Sequence, residues 1–110
     1  MSAPSAPTAS EPPRDPAALD RLIHEPARLV VVAILAAVDE ADFVFLQRQT
    51  NLTAGNLSSH LARLEEAGYL EVEKGFRGKL PHTLLRLTAD GRRAFERYRR
   101  ELRRTLGEDE

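Results

Sequence analysis

The chain has 110 residues, a formal net charge of −1, 42% apolar residues and no cysteine. That length suits one small domain; the missing thiols exclude disulfides, thiol redox chemistry and cysteine-ligated zinc; and the longest apolar run, the ten residues Leu29 to Val38, is far too short to span a membrane. The near-neutral total hides an uneven distribution: between Phe43 and Arg104, thirteen Lys and Arg stand against seven acids, a local excess of six positive charges of the kind phosphate contact requires.

Residues 1–15 are rich in Pro, Ala and Ser and nearly devoid of large apolar side chains. They cannot bury enough surface to offset the entropy of ordering, so a disordered tail is expected. They also lack the basic start and apolar run of a secretory signal, which points to the cytoplasm. A single domain is expected over residues 16–106, followed by a short acidic tail at 107–110.

Asp15 and Pro16 form a helix-start pair, with Asp as N-cap and Pro at the first helical position. A short helix to about His24 is expected from them, carrying Leu19, Leu22 and Ile23 on one side. Glu25-Pro26 restarts a second helix, Pro26 to Val38. It is apolar nearly all round, which predicts a central core helix buried nearly all round. The polar turn Asp39-Glu40-Ala41-Asp42 follows. Asp42 then caps a helix from Phe43 to Gln49, with Phe43 and Leu46 inward; a minor strand near Asp42–Val44 is the alternative.

The stretch Leu52 to Leu70 is the most informative. Thr53 is placed to cap a helix over Thr53–Ala67, and Gly68 to end it in the left-handed conformation. Leu57, Leu61 and Leu64 make one narrow apolar stripe at i, i+4, i+7. The opposite face holds Asn56, Ser59, His60 and Arg63, with no acid before Glu65. Such short or forked hydrogen-bonding groups suit base edges and phosphates, although this helix alone reads equally well as an ordinary solvated surface. Asn can bind adenine bidentately and Arg guanine, so Asn56 and Arg63 are candidates for base readout. Their alternatives are first-turn capping for Asn56, and phosphate contact or pairing with Glu65 or Glu66 for Arg63. Gly55 would let the backbone approach a duplex, or would merely weaken the helix. Ser58 and Ser59 suit phosphate. His60 has no second ligand at metal-binding spacing, so neither a metal nor any other cofactor is expected.

Tyr69 to Lys74 alternates apolar and charged residues, as a half-buried strand does. Gly75 to Pro81 reads as a loop from its two glycines and its proline. His82 to Leu87 is the returning strand, giving a hairpin with a basic tip. Thr88 caps a last helix to about Leu106, with Asp90 near its positive end. Ala94, Phe95, Tyr98, Leu102 and Leu106 form its apolar stripe, and seven arginines coat the rest.

The segments D-F-V-F-L, L-T-A-G-N-L-S-S-H-L-A-R-L-E-E-A-G-Y-L-E-V and L-T-A-D-G-R-R-A-F-E-R-Y resemble the winged helix-turn-helix transcriptional regulators, closest to the small single-domain MarR/ArsR-like group. H-E-P-A-R-L-V-V-V-A-I-L is similar to that family's first helix. The resemblance covers about Leu19 to Arg100. It implies a mainly α fold with a small β-hairpin (α+β) and extra N- and C-terminal helices for dimerisation. It implies double-stranded DNA as partner, Thr53–Ala67 in the major groove and Glu71–Leu87 as the wing. Carried over residue by residue, Thr53, Ala54, Gly55, Asn56, Ser58, Ser59, His60 and Arg63 face DNA from the helix, and Lys74, Arg77, Lys79 and His82 from the wing. Leu80 and His82 flank the wing proline where the family commonly has basic residues, which implies wing contacts that are weaker or that rest on Arg77 and Lys79 alone. A homodimer is implied, with Leu19, Leu22, Ile23, Phe95, Tyr98, Leu102 and Leu106 at its interface. A small-molecule effector between dimer helices is common among relatives, but no residue here picks one out.

The function expected is therefore a homodimeric, sequence-specific DNA-binding transcriptional regulator. The alternative is a winged-helix protein-interaction module without DNA binding. An enzyme is not expected, since no nucleophile–base pair, phosphate loop or metal motif is readable.

Overall fold

The chain folds around its leucines. The computed structural model describes residues 13–108; the tail expected to be disordered falls outside them up to residue 12, as do the last two residues of the acidic tail. Among the described residues there are four α-helices and a three-stranded antiparallel sheet: α1 Pro26–Ala36, β1 Ala41–Asp42, α2 Phe43–Thr50, α3 Ala54–Glu66, β2 Leu70–Arg77, β3 Leu80–Leu87 and α4 Ala89–Thr105. Ile23, Val31, Val32, Leu35, Leu46, Leu57, Leu64 and Leu85 are fully buried between these elements. Burial of each large aliphatic side chain is worth about 1.5–3 kcal/mol.

Each helix begins where its cap places it. The Glu25 carboxylate accepts from the N–H groups of Ala27 and Arg28, Asp42 from Phe45, Thr53 from Asn56 and Thr88 from Gly91. Burial alone would push the Glu25 carboxyl up. The N–H bonds from Arg28 and Ala27, with the neighbouring His60 and the Arg28 charge, outweigh that and hold it below its ordinary range. Asp42 is also held low, chiefly by the Phe45 N–H, which together with the neighbouring His82 and Arg77 outweighs burial. At its end α3 closes with Gly68 at φ +81°, where the N–H of Tyr69 reaches the Leu64 carbonyl and that of Gly68 the Glu65 carbonyl. This paired closure satisfies carbonyls that would otherwise lack partners.

Four expectations need correction. Leu19 to His24 is not a helix. A single 3-10 turn, Pro16–Ala18, ends at extended Leu19, and the Asp20 carboxylate then accepts from the N–H groups of Leu22 and Ile23. An Asp side chain satisfying backbone donors in this way offers the chain an alternative to a helix. The resulting strap is tied down by Tyr69 Oη donating to Asp20 at 2.8 Å and by His24 Nδ1 at 2.8 Å from Tyr98 Oη. Second, α1 is not buried all round: Val31, Val32 and Leu35 are inside, but Val30 is 44% exposed. Third, the hairpin loop is not Gly75 to Pro81. The strands pair out to Arg77↔Leu80, so the turn is Gly78-Lys79, with Gly78 at φ +65°. Glycine at the first of two turn positions gives a turn whose twist matches the strands. Fourth, the minor strand exists, but at Ala41–Asp42, pairing with Leu85 and Leu84 and giving the strand order β1-β3-β2.

The fold also uses up part of the expected dimer seam. Leu19, Ile23, Phe95 and Tyr98 lie in the chain's own core, because the strap and α4 pack on each other and on α1. Leu22 and Leu102 are partly buried against that core, and Leu106 is 59% exposed.

Candidate nucleic-acid interface

The position of α3 follows from its stripe. Leu57, Leu61 and Leu64 are buried, so 3.6-residue geometry turns Ala54, Gly55, Asn56, Ser59 and Arg63 to the opposite, exposed side. Ser58 is also exposed, on the flank beside β2, and Thr53 is exposed while its hydroxyl caps the helix. Of the first four N–H groups of α3, those of Asn56 and Leu57 donate to Thr53, while those of Ala54 and Gly55 are left open end-on, with the positive end of the helix dipole behind them. Asn56 donates its own N–H to the cap, so its amide side chain is not the cap. The Arg63 side chain makes no hydrogen bond or ion pair among the described residues.

His60 behaves differently from its neighbours. It is half-buried, with Nδ1 3.1 Å from Arg28 Nη1 and 3.7 Å from Glu25 Oε2. A guanidinium can only donate, so Nδ1 accepts and Nε2 carries the N–H. Arg28 also donates from Nε to the Leu22 carbonyl at 2.6 Å. His60 thus braces α3 against the start of α1 and has one N–H left to offer.

The cations divide into two sets. Arg28, Arg86, Arg92, Arg93 and Arg99 are engaged within the fold. Arg86 on β3 faces Glu40, Glu71 and Glu73 at 3.4–3.7 Å. Arg92 donates to the carbonyls of Ala36 and Val38, closing the end of α1. Arg93 pairs with Asp90 and Arg99 with Glu96. Arg63, Lys74, Arg77 and Lys79 are all exposed and pair with no acid among the described residues, as do Arg21, Arg48, Arg97, Arg100 and Arg103 away from α3 and the hairpin. A protein that contacts phosphate leaves its cations free in this way.

His82 does not join the second set. It is half-buried on β3 opposite Gly75, two pairs from the turn-flanking pair, with Nε2 3.6 Å from Asp42 Oδ2, and that nitrogen is buried without a hydrogen-bond partner. It packs against β1 rather than facing outward, because β1 pairs along β3 up to Leu84. Sequence reasoning missed β1 at this register, and with it the placement of His82. It also passed over Phe76 and Leu80, which are 76% and 72% exposed at the hairpin tip; an aromatic residue between two glycines in a basic loop was the available signal.

A cleft of about 390 Å³ opens between α3 and the sheet, lined among others by Phe43, Ser58, Leu61, Glu65, Val72 and Lys74. No three His, Cys, Asp or Glu side chains come together to hold a metal among the described residues, and no helix there is long and apolar enough to cross a membrane.

The arrangement has known counterparts. A family model described as a winged helix DNA-binding domain matches residues 27–106. The uncharacterized protein MJ0432 of Methanocaldococcus jannaschii is 33% identical over 78 residues, spanning 71% of this chain and 85% of that protein. Among solved structures, a transcriptional regulator homologue from Pyrococcus horikoshii superposes with a TM-score of 0.73 at 28% identity, covering 78% of this chain and 85% of its own. The PcaV transcriptional regulator of Streptomyces coelicolor, solved with its natural ligand, shares the fold with a TM-score of 0.68 at 22% identity, over 82% of this chain and 62% of its own. With helix, turn, exposed helix and basic hairpin in this order, and with the model spanning most of its length, the chain belongs to the winged helix DNA-binding domain family.

Proposed function

We propose that the protein is a transcriptional regulator that binds duplex DNA as a homodimer, with α3 in the major groove and the β2–β3 hairpin lying along the backbone toward the adjacent minor groove. The observation that carries this is the exposed face of α3 and its hairpin, where Arg63, Lys74, Arg77 and Lys79 stand without an ion pair beside Asn56 and Ser59. In this reading Asn56 and Arg63 read bases. Ser58, Ser59 and the Nε2–H of His60 reach phosphate together with the open N–H groups of α3. Ala54 and Gly55 keep the start of the helix slim enough for close approach, and Thr53 holds it in shape. His82 acts within the wing, through Asp42, rather than on DNA.

A second copy is supported by Leu102 and Leu106, whose apolar surface the chain's own fold leaves partly or largely uncovered. A symmetric pair would present two copies of α3 about one helical turn, roughly 34 Å, apart on a pseudo-palindromic site. The cleft beside α3 has room for a small organic effector, and PcaV is a neighbour in fold solved with its natural ligand.

The test is selection of bound duplexes from a random pool, followed by competition against unselected DNA. A palindromic consensus that outcompetes random duplex by roughly a thousandfold or more is the expected result. Binding without any enrichment would contradict sequence-specific regulation.

A further inference from the structure

The hairpin tip carries two large apolar side chains that the fold does not need. Phe76 is 76% exposed and Leu80 72%, more than any other large hydrophobic residue of the core-bearing region. The turn itself is made by Gly78. Arg77 and Leu80 flank a two-residue turn, so they form its hydrogen-bonded pair. The next pair, Phe76↔Pro81, is then of the non-hydrogen-bonded kind, in which side chains stand closest. This explains how a proline is tolerated inside β3: its missing N–H would have pointed to the outer edge, where β1 stops at Leu84 and nothing pairs. Pro81 therefore backs the Phe76 ring without costing the hairpin a bond.

Strand alternation fixes which way Phe76 points. Leu70, Val72, Lys74 and Phe76 share one face of β2. Val72 and Lys74 line the cleft against α3, so Phe76 lies on the same side of the sheet as α3, one step further out. Lys74 shares this face and Lys79 sits in the turn, both exposed and without an ion pair among the described residues, while Arg77 stands on the opposite face of the strand toward Asp42. A bare aromatic ring flanked by cations fits a polyanion with an apolar interior.

We propose that the wing tip is a DNA wedge: Phe76, supported by Pro81, enters the minor groove and pushes its ring against or between two stacked base pairs, while Lys74, Arg77 and Lys79 hold the flanking phosphates. Apolar wedges of this kind partly unstack a base step and bend the duplex. The inference rests on the DNA-binding reading above. It adds a position at which sequence is sensed through how easily a step unstacks, since pyrimidine–purine steps yield most readily.

The experiment uses the full chain and the selected duplex carrying 2-aminopurine at successive positions across the footprint, with anisotropy reporting binding and fluorescence intensity reporting unstacking. The expected result is a rise in fluorescence at one step in each half-site, under the wing. Phe76→Ala should abolish that rise and weaken binding roughly tenfold with the salt dependence unchanged. Arg77→Ala should keep the rise while lowering the salt slope by about one phosphate's worth. Phe76 is surface-exposed, so the variant should fold as the wild type, which circular dichroism would check. Bound duplex with no rise anywhere, or a Phe76→Ala variant with undiminished rise and affinity, would overturn the wedge and leave the DNA-binding reading standing. Failure of the wild type to bind any duplex would overturn both. A Phe76→Ala variant that changes the oligomeric state would overturn the wedge in favour of self-association through the tip.

Discussion

Gly91→Ala is the substitution whose effect on stability can be worked most directly from the structure. Gly91 is buried in the first turn of α4, and its N–H donates to Thr88 Oγ1 at 3.0 Å. A Cβ at this position would overlap the Tyr69 carbonyl oxygen and come within 2.9 Å of the carbonyl carbon and 3.0 Å of its Cα. These are backbone atoms, so no side chain can swing aside. The same carbonyl accepts from the Thr88 N–H at 3.0 Å, while Thr88 Oγ1 donates to the Gly68 carbonyl at 2.6 Å. Relieving the clash therefore pulls apart the junction that joins the end of α3 to the start of α4. Overpacking costs about 1–3 kcal/mol, and losing the Thr88 bond about 1 kcal/mol more. The better helix propensity of alanine returns up to about 1 kcal/mol. The net loss, with the full alanine gain returned, is about 1–3 kcal/mol. For a domain of this size that lowers Tm by roughly 4–24 °C, to be read by far-UV circular dichroism. Gly55→Ala is the matched control: nothing lies within 4 Å of its would-be Cβ, so stability should rise by about 0.5–1 kcal/mol. If both variants raise Tm, α4 does not approach Tyr69 as described and the packing argument is refuted.

Three further predictions concern the interface and its supports. Arg63→Ala should weaken the selected duplex by about 1–3 kcal/mol and random duplex by less; equal losses on both would restrict Arg63 to phosphate. The Glu25 and Asp42 carboxyls are both held below their ordinary range in the fold, so the stability they contribute is complete above the unfolded values of about 4.3 and 3.9. It drains away as pH falls through the lower folded-state values. The Tm gap between wild type and a Glu25→Gln, Asp42→Asn double variant should thus be widest above about pH 5 and close on acidification, whereas a gap independent of pH would contradict the capping account. Replacing Leu102 and Leu106 together by Glu should shift the protein toward monomer by light scattering, because charge would be buried in the apolar seam; an unchanged dimer would move the interface elsewhere.

The parts of the fold set by local chemistry were readable from the chain. Thr53, Thr88 and Asp42 cap the helices expected of them, Gly68 ends α3, and the Leu57, Leu61, Leu64 stripe is the buried one. Features decided by tertiary contact were not. Asp20 could have stood inside a helix; it turns the chain instead because its carboxylate has both backbone donors and the Tyr69 hydroxyl to satisfy. An apolar stripe shows that a helix face is covered but not by which chain, so Phe95 and Tyr98 read as a seam when they belong to the interior. Glycines at 75 and 78 looked equivalent, yet only Gly78 takes a positive φ and makes the turn. His60 and His82 read as free donors because nothing local reveals Arg28 or Asp42 beside them.

The most direct test of the central claim is the affinity of the purified protein for duplex DNA across a salt series. The account predicts a steep fall, with the logarithm of the binding constant declining against the logarithm of salt by about 0.9 per phosphate engaged, and a shallower slope when Lys74, Arg77 and Lys79 are replaced together by Ala. Binding that is indifferent to salt, or absent at low salt, would mean that the free cations of α3 and the wing do not face phosphate.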